Sequence, residues 1–287
     1  MSWLLFAFLT AFFESLKDLF SKLGLRHANE YIIAWSFLVF ALPLLLPLIL
    51  VTGIPELSSR FFMALFIVAG INASCSVLFM KAIKSSDLSI TVPLVSFTPL
   101  FLLFTSPLIL GEIPAPLGLI GVLFIVTGAY VLNIIDSSQG WLAPFRALFN
   151  QTGPRLMLLV AFLWSISANF DKIGIQETSP VFWAIAVMVV MTLLLTPVVI
   201  WQVGNPLRFL DGNYRALIPI GIFHGLTILS QMTAISMALV AYVIAIKRMS
   251  TALSVVWGAL ILKEAGFNQR ITGVLVMLFG VLLITLS

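Results

Sequence analysis

The chain has 287 residues, 61% hydrophobic and only 9% charged, with a formal net charge of +4. A water-soluble domain is typically about a quarter charged, so this composition excludes a soluble globule and makes a lipid bilayer the expected solvent. With no polar domain to carry a basic face, the small positive excess reads as loops beside headgroups, and nucleic acid is not an expected partner.

Ten apolar segments follow one another, at roughly residues 3–22, 31–51, 61–80, 88–110, 116–134, 155–174, 180–201, 215–236, 240–262 and 270–286. Each is close to the about 20 residues that a hydrocarbon core of about 30 Å requires. None alternates apolar with polar residues as barrel strands do. The expected fold is therefore an all-α, multi-pass integral membrane protein with ten transmembrane helices. The N-terminus lacks a basic leader and runs straight into a full-length segment, so no cleavable signal peptide is expected. A lone Cys75 permits no internal disulfide, and no cofactor or metal-ligand motif is present.

The first segment, "WLLFAFLTAFFESLKDLFSK", carries charge where a membrane helix avoids it. Glu14 falls about 3 Å past its midpoint at 1.5 Å per residue. Asp18, Ser21 and Lys22 follow on one face. An Asp or Lys at the centre of a membrane helix costs roughly 2.5–3.5 kcal/mol. Asp18 and Lys22 have the spacing of an intrahelical pair, whereas Glu14 has no equally good base in its own segment. Glu14 thus reads as a protonatable or cation-binding group facing a wet cavity, or as one side of an ion pair with a later helix.

The third segment places Asn72 near Cys75 and Ser76; such lone polar residues commonly join helices. The fourth carries Pro93, Pro99 and Pro107, which free backbone carbonyls and bend a helix. The linker contains Trp141, Phe145 and Phe149, residues suited to a membrane interface. The eighth segment aligns His224, Thr227 and Gln231 on one face. The ninth holds the adjacent cations Lys247 and Arg248 about 6 Å from its centre. Read as one continuous helix, it puts Lys247, Ser250, Thr251, Ser254 and Gly258 in a single stripe, a plausible cavity wall with a shared anion site. Snorkelling of both cations to the nearer interface is the competing reading.

The chain also looks duplicated. A shift of 150 carries Phe20, Lys22, Gly24 and Pro47 onto Phe170, Lys172, Gly174 and Pro197. A shift of 152 carries Leu110, Glu112, Gly121 and Gly128 onto Leu262, Glu264, Gly273 and Gly280. Residues 1–135 and 155–287 are the two five-helix repeats, with 136–154 as linker. An odd number of crossings inverts the second repeat, the architecture of many secondary transporters. Ten cations follow the odd-numbered segments (Lys22, Arg26, Lys81, Lys84, Arg146, Arg155, Arg208, Arg215, Lys263 and Arg270), against Arg60 and Lys172 on the other side. The positive-inside rule then leaves both termini outside.

Two copies of a short "LGE" or "LKE" turn followed by a glycine-bearing helix resemble the EamA repeat of the drug/metabolite transporter superfamily. The resemblance implies ten helices in two inverted EamA repeats around a central cavity, and cytoplasmic termini. Glu14, eight residues before Lys22 and three after Ala11, is similar to the membrane Glu of small multidrug resistance proteins, where it exchanges protons for cationic drugs; the second repeat has Trp164 at that place. "IKRMST" is similar to the Lys-Arg pair that binds phosphate in plastid triose-phosphate translocators, which implies the same role for Lys247 and Arg248.

The expected function is secondary transport of a small polar metabolite with an anionic group, by alternating access. Lys247, Arg248, Glu14, Thr251, Ser254, His224, Gln231 and Asn72 are the candidate substrate-binding residues. Glu14 and Asp18 are the candidate coupling residues, with protons as the coupling ion. The alternatives are an exporter of cationic or amphipathic compounds working through Glu14, and a flippase for a lipid-linked sugar. An enzyme is not expected: His27 and His224 are far apart and belong to no catalytic motif. The expected location is the plasma or inner membrane.

Overall fold

The structure, a computed structural model, describes residues 2–24, 30–134, 140–206, 214–261 and 267–287, and the described residues contain helices and connecting turns but no strand. In chain order the helices are α1 (Ser2–Gly24), α2 (Glu30–Val39), α3 (Leu42–Leu45), α4 (Ile49–Thr52), α5 (Ser59–Ser85), α6 (Leu88–Thr91), α7 (Thr98–Leu110), α8 (Pro116–Ile134) and α9 (Ala143–Asn150). They continue with α10 (Thr152–Glu177), α11 (Pro180–Val203), α12 (Tyr214–Met237), α13 (Val240–Lys247), α14 (Met249–Leu260) and α15 (Phe267–Thr285). Arg26, His27, Arg208, Lys263, Glu264 and the linker's first residues, 136–139, lie outside the described residues.

Eight stretches are long and apolar enough to cross a bilayer: Tyr31–Thr52, Ser59–Ser85, Val92–Leu110, Pro116–Ile134, Thr152–Glu177, Pro180–Val203, Leu217–Met237 and Val240–Leu260. The sequence reading expects ten. The two that fall short do so for different reasons. α1 is long enough, at 23 residues, but concentrates Glu14, Lys17 and Asp18 within five positions. The described apolar part of α15, Arg270–Thr285, is simply shorter.

Proline shapes two of the spans. The stretch Tyr31–Thr52 is divided into α2, a 3₁₀ turn and the one-turn helices α3 and α4, with Pro43 and Pro47 each at the start of a new piece. The fourth span begins as a 3₁₀ helix over Val92–Phe97, opened by Pro93, and becomes α-helical at Thr98, where Pro99 sits in the first turn. Proline is tolerated at a helix start because its missing N–H would have no partner there.

The chain divides into two compact units that cut across the sequence repeats: Met1–Ala69 with Phe170–Met237, and Gly70–Asn169 with Ala238–Ser287. In the first unit α1 packs along α12. Gly24 lies against Ile220, and Phe20 stacks on Phe223 at 5.4 Å, so the two helices run antiparallel. Ile32, Ile33, Trp35, Val199, Leu217 and Ile220 form a core between α2, α11 and α12. Within it the Trp35 indole donates to Thr196 Oγ1 at 3.0 Å. A second cluster ties one end: the buried Trp183 donates to Asp171 Oδ1 at 2.8 Å, and its ring sits where a Cβ on Gly174 would be.

In the second unit α8 packs antiparallel along α15. A Cβ on Gly121 would meet the Gly280 carbonyl at 2.6 Å, and one on Gly128 the Gly273 carbonyl at 2.6 Å. Gly121 and Gly273 are repeat counterparts, as are Gly128 and Gly280, so each contact is the other with the repeats exchanged. That is an isologous interface, of the kind a two-fold axis makes. Small residues let membrane helices approach closely enough for backbone packing.

Candidate functional site

The "LGE" turn has a structural explanation. Gly111 ends α7 with φ +72°, a conformation glycine adopts freely. Its N–H returns to Pro107 O, the single bond of an αL cap, and that of Glu112 reaches Ser106 O. Glu112 is thereby turned toward the start of α13, where Oε2 accepts the Val240 N–H at 2.9 Å. A carboxylate at a helix N-terminus satisfies an orphan donor and complements the positive end of the dipole. Tyr242, in the first turn of α13, accepts the Ala115 N–H at 3.1 Å and occupies the space over Gly118.

So anchored, α13 is buried from Val240 to Ile246 and delivers Lys247 in its last turn. The ninth span does not continue as one helix. At Arg248 the ladder tightens to i→i−3 bonds, Arg248 N–H to Ala245 O and Thr251 N–H to Arg248 O, both at 3.0 Å, before α14 resumes. This 3₁₀ step interrupts the helix between Lys247 and the residues Ser250, Thr251, Ser254 and Gly258 that the sequence reading drew into one stripe. Lys247 and Arg248 are both half-buried. The Arg248 guanidinium donates from Nη2 to Thr98 Oγ1 at 3.0 Å. Thr98 is the residue at which the fourth span changes from 3₁₀ to α. On α14, Ser250 is buried and Thr251 half-buried, while Ser254 Oγ is buried with no hydrogen-bond partner among the described residues.

The same unit holds a polar network. Asn169 Nδ2 donates to Thr105 Oγ1 at 3.0 Å and to Ser165 O at 2.8 Å, and Oδ1 accepts from Ser106 Oγ at 2.7 Å. Asn72 donates to Ser167 Oγ at 3.1 Å, joining α5 to α10. Buried polar groups satisfied across helices in this way act as glue.

In the first unit, Lys17 organises the charges of α1. Its ammonium lies 2.8 Å from Glu14 Oε1 and 3.3 Å from Asp18 Oδ1. This corrects the expectation that Glu14 lacks a good base in its own helix: Lys17, leaning toward the N-terminus as helical side chains do, reaches back three residues. Lys17 Nζ also sits over the Phe37 ring at 5.2 Å, and the His224 ring lies against the same Phe37 at 5.3 Å. The register of α1 on α12 carries the buried Thr227 and Gln231 to the level of Lys17 and Glu14. Glu14, Asp18, His224 and Gln231 thus belong to the first unit, and Lys247, Arg248, Thr251, Ser254 and Asn72 to the second.

Lys17, Thr98 and Glu112 were missed as contributors by the sequence reading. Glu112 carries a detectable signal, standing directly after a helix-ending glycine.

An all-helical chain with eight bilayer-length spans, broken helices and buried ion pairs has the general build of a membrane transporter. The model of the EamA-like transporter family matches residues 1–134 and 151–286. The chain belongs to the EamA-like transporter family, as two EamA repeats in an integral membrane protein, which places it among drug/metabolite transporters. A solved structure, described as a crystal structure of a protein, superposes with a TM-score of 0.78 at 14% identity, covering 99% of this chain and 96% of the other. At that identity the likeness is one of fold. No curated protein matches the sequence.

Proposed function

We propose that the protein is a secondary transporter of a small polar metabolite bearing an anionic group such as carboxylate or phosphate. In this reading ten helices form two inverted repeats and work by alternating access, the chain performs no catalysis, and Lys247 and Arg248 receive the anionic group. The observation that carries it is the pair of half-buried cations at a break inside an apolar span, followed on α14 by the buried hydroxyl of Ser254, which has no hydrogen-bond partner among the described residues. Helix breaks in transporters present backbone and side-chain groups to a substrate at mid-membrane depth. Arg248 is steadied by Thr98. Lys247, Thr251 and Ser254 supply further donors, with Asn72 in the same unit, while His224 and Gln231 are candidate polar groups within the first unit.

Glu14 and Asp18 form the coupling group, with Lys17 as the cation each carboxylate already holds. A proton arriving on one carboxylate releases its share of Lys17, which links protonation to the packing of α1. The same pairing weighs against an exporter of organic cations working through Glu14, because the carboxylate has a cation from its own helix at 2.8 Å.

A thermal-shift screen of the purified chain against metabolites sorted by charge tests this reading. A ligand of the folded state raises its melting temperature by mass action. Stabilisation by small anions is the expected result; stabilisation by organic cations alone would overturn it in favour of the cation exporter.

A further inference from the structure

Helix α9 is built the wrong way round for water. The side chains it turns into the protein are small, Ala143, Pro144 and Ala147. The large ones face out: Trp141 is 63% exposed, Leu142 58% and Phe149 79%. Leu142, Arg146 and Phe149 fall at i, i+4 and i+7, so an exposed cation sits on the same stripe as two exposed apolar side chains. Such a face is unfavourable in water and favourable at a headgroup boundary, where apolar groups enter the acyl region and a long basic side chain snorkels outward.

The helix is held at both ends. Tyr130 Oη donates to Trp141 O at 2.6 Å, and Phe145 packs edge-on against Phe97 at 5.6 Å. At the far end the Arg155 guanidinium donates from Nε to Leu148 O at 2.6 Å and from Nη2 to Phe149 O, covering the last carbonyls of α9. Leu148 packs in one cluster with Ala82 and Ile83 of α5 and Met157 of α10. Gly153 meets the Ala82 carbonyl and Ser86. The exposed Lys81 and Lys84, in the last turns of α5, are therefore at the same end of the second unit as Arg146 and Arg155.

We propose that this end of the second unit is a docking surface for anionic phospholipid. Trp141, Leu142 and Phe149 enter the acyl boundary, and Lys81, Lys84, Arg146 and Arg155 meet the headgroup phosphates. Charge complementarity selects the occupant: four cations from α5, α9 and the start of α10 outnumber the one exposed carboxylate beside them among the described residues, Asp87, and each cation beside an anionic leaflet strengthens binding about fivefold. The site is separate from the basic pair and does not rest on the transport reading.

The test titrates phosphatidylglycerol against the purified full chain in neutral detergent, with melting temperature as readout and phosphatidylcholine and inorganic phosphate as parallel arms. Phosphatidylglycerol is expected to stabilise at lower concentration than phosphatidylcholine, with an advantage that shrinks as salt is raised. The Lys81→Gln/Lys84→Gln/Arg146→Gln variant, which leaves the Arg155 clamp intact, should need about a hundredfold more phosphatidylglycerol. If the triple variant melts early without lipid, the Lys81→Gln/Lys84→Gln pair is read instead, with a loss of about 25-fold expected. Equal response to the two lipids, or unchanged affinity in the variants, overturns the proposal. Stabilisation by inorganic phosphate alone also overturns it, since that describes a soluble-anion site.

Discussion

Lys17 is the side chain through which α1 tolerates its charges. Both it and Glu14 are largely buried, with side-chain exposures of 11% and 17%. Removing one member of a buried pair leaves an uncompensated charge and costs about 3–5 kcal/mol. Lys17→Met is therefore expected to lower the melting temperature sharply, and Glu14→Gln added to Lys17→Met to restore part of the loss. A double variant no more stable than the single would show that Glu14 does not depend on Lys17. The cluster was half legible in sequence. Three charges in one apolar segment announce a polar site, but the expectation that Glu14 lacks a base in its own helix overlooked the backward lean of Lys17, which residue types alone do not reveal.

At the scale of elements, the segments were read well because apolar length is a strong signal: the expected 116–134 is α8, and 180–201 lies within α11. Helix breaks were less visible. Those in the second and fourth spans follow from Pro43, Pro47 and Pro93, which sequence announces. The break at Arg248 involves neither proline nor glycine. It accompanies a tertiary bond to Thr98, and a contact between residues 150 apart has no local signature. The glycines of α8 and α15 were legible as repeat markers but not as a crossing. Here the structure makes a sharp prediction. A side chain at Gly121 or Gly280 must displace a carbonyl of the opposite helix, so Gly121→Leu and Gly280→Leu should each destabilise by about 1–3 kcal/mol through overpacking. The double variant, with both residues at one contact, should fall short of the sum of the two. Melting temperatures of the three variants decide it: unchanged stability in the singles means α8 and α15 are not packed this closely.

For the whole molecule, the repeats were plain in sequence while the compact units were not. Gly24 and Gly174, or Glu112 and Glu264, stand in register because duplication leaves a linear record. The units mix helices from both halves, and α5 and α10 each start in one and end in the other, which depends on long-range packing. Ten crossings require both termini on one side and the linker on the other. In a Cys75→Ala background, cysteines at Ser2 and Ser287 should label from the same face of the membrane and one at Asn150 from the opposite face. Labelling of Ser2 and Ser287 from different faces would leave an odd number of crossings, such as nine, and remove the inversion. The transport reading itself stands on the basic pair. Its most direct test is uptake, by proteoliposomes, of the anion that best stabilises the purified chain, compared between wild type and the Lys247→Gln and Arg248→Gln variants, with melting temperature measured on the same preparations. The expected result is uptake in the wild type, lost in both variants, with both variants still folded in the absence of substrate. Normal uptake by both variants, or poor stability with normal affinity for the anion, would contradict it and leave Lys247 and Arg248 as scaffold.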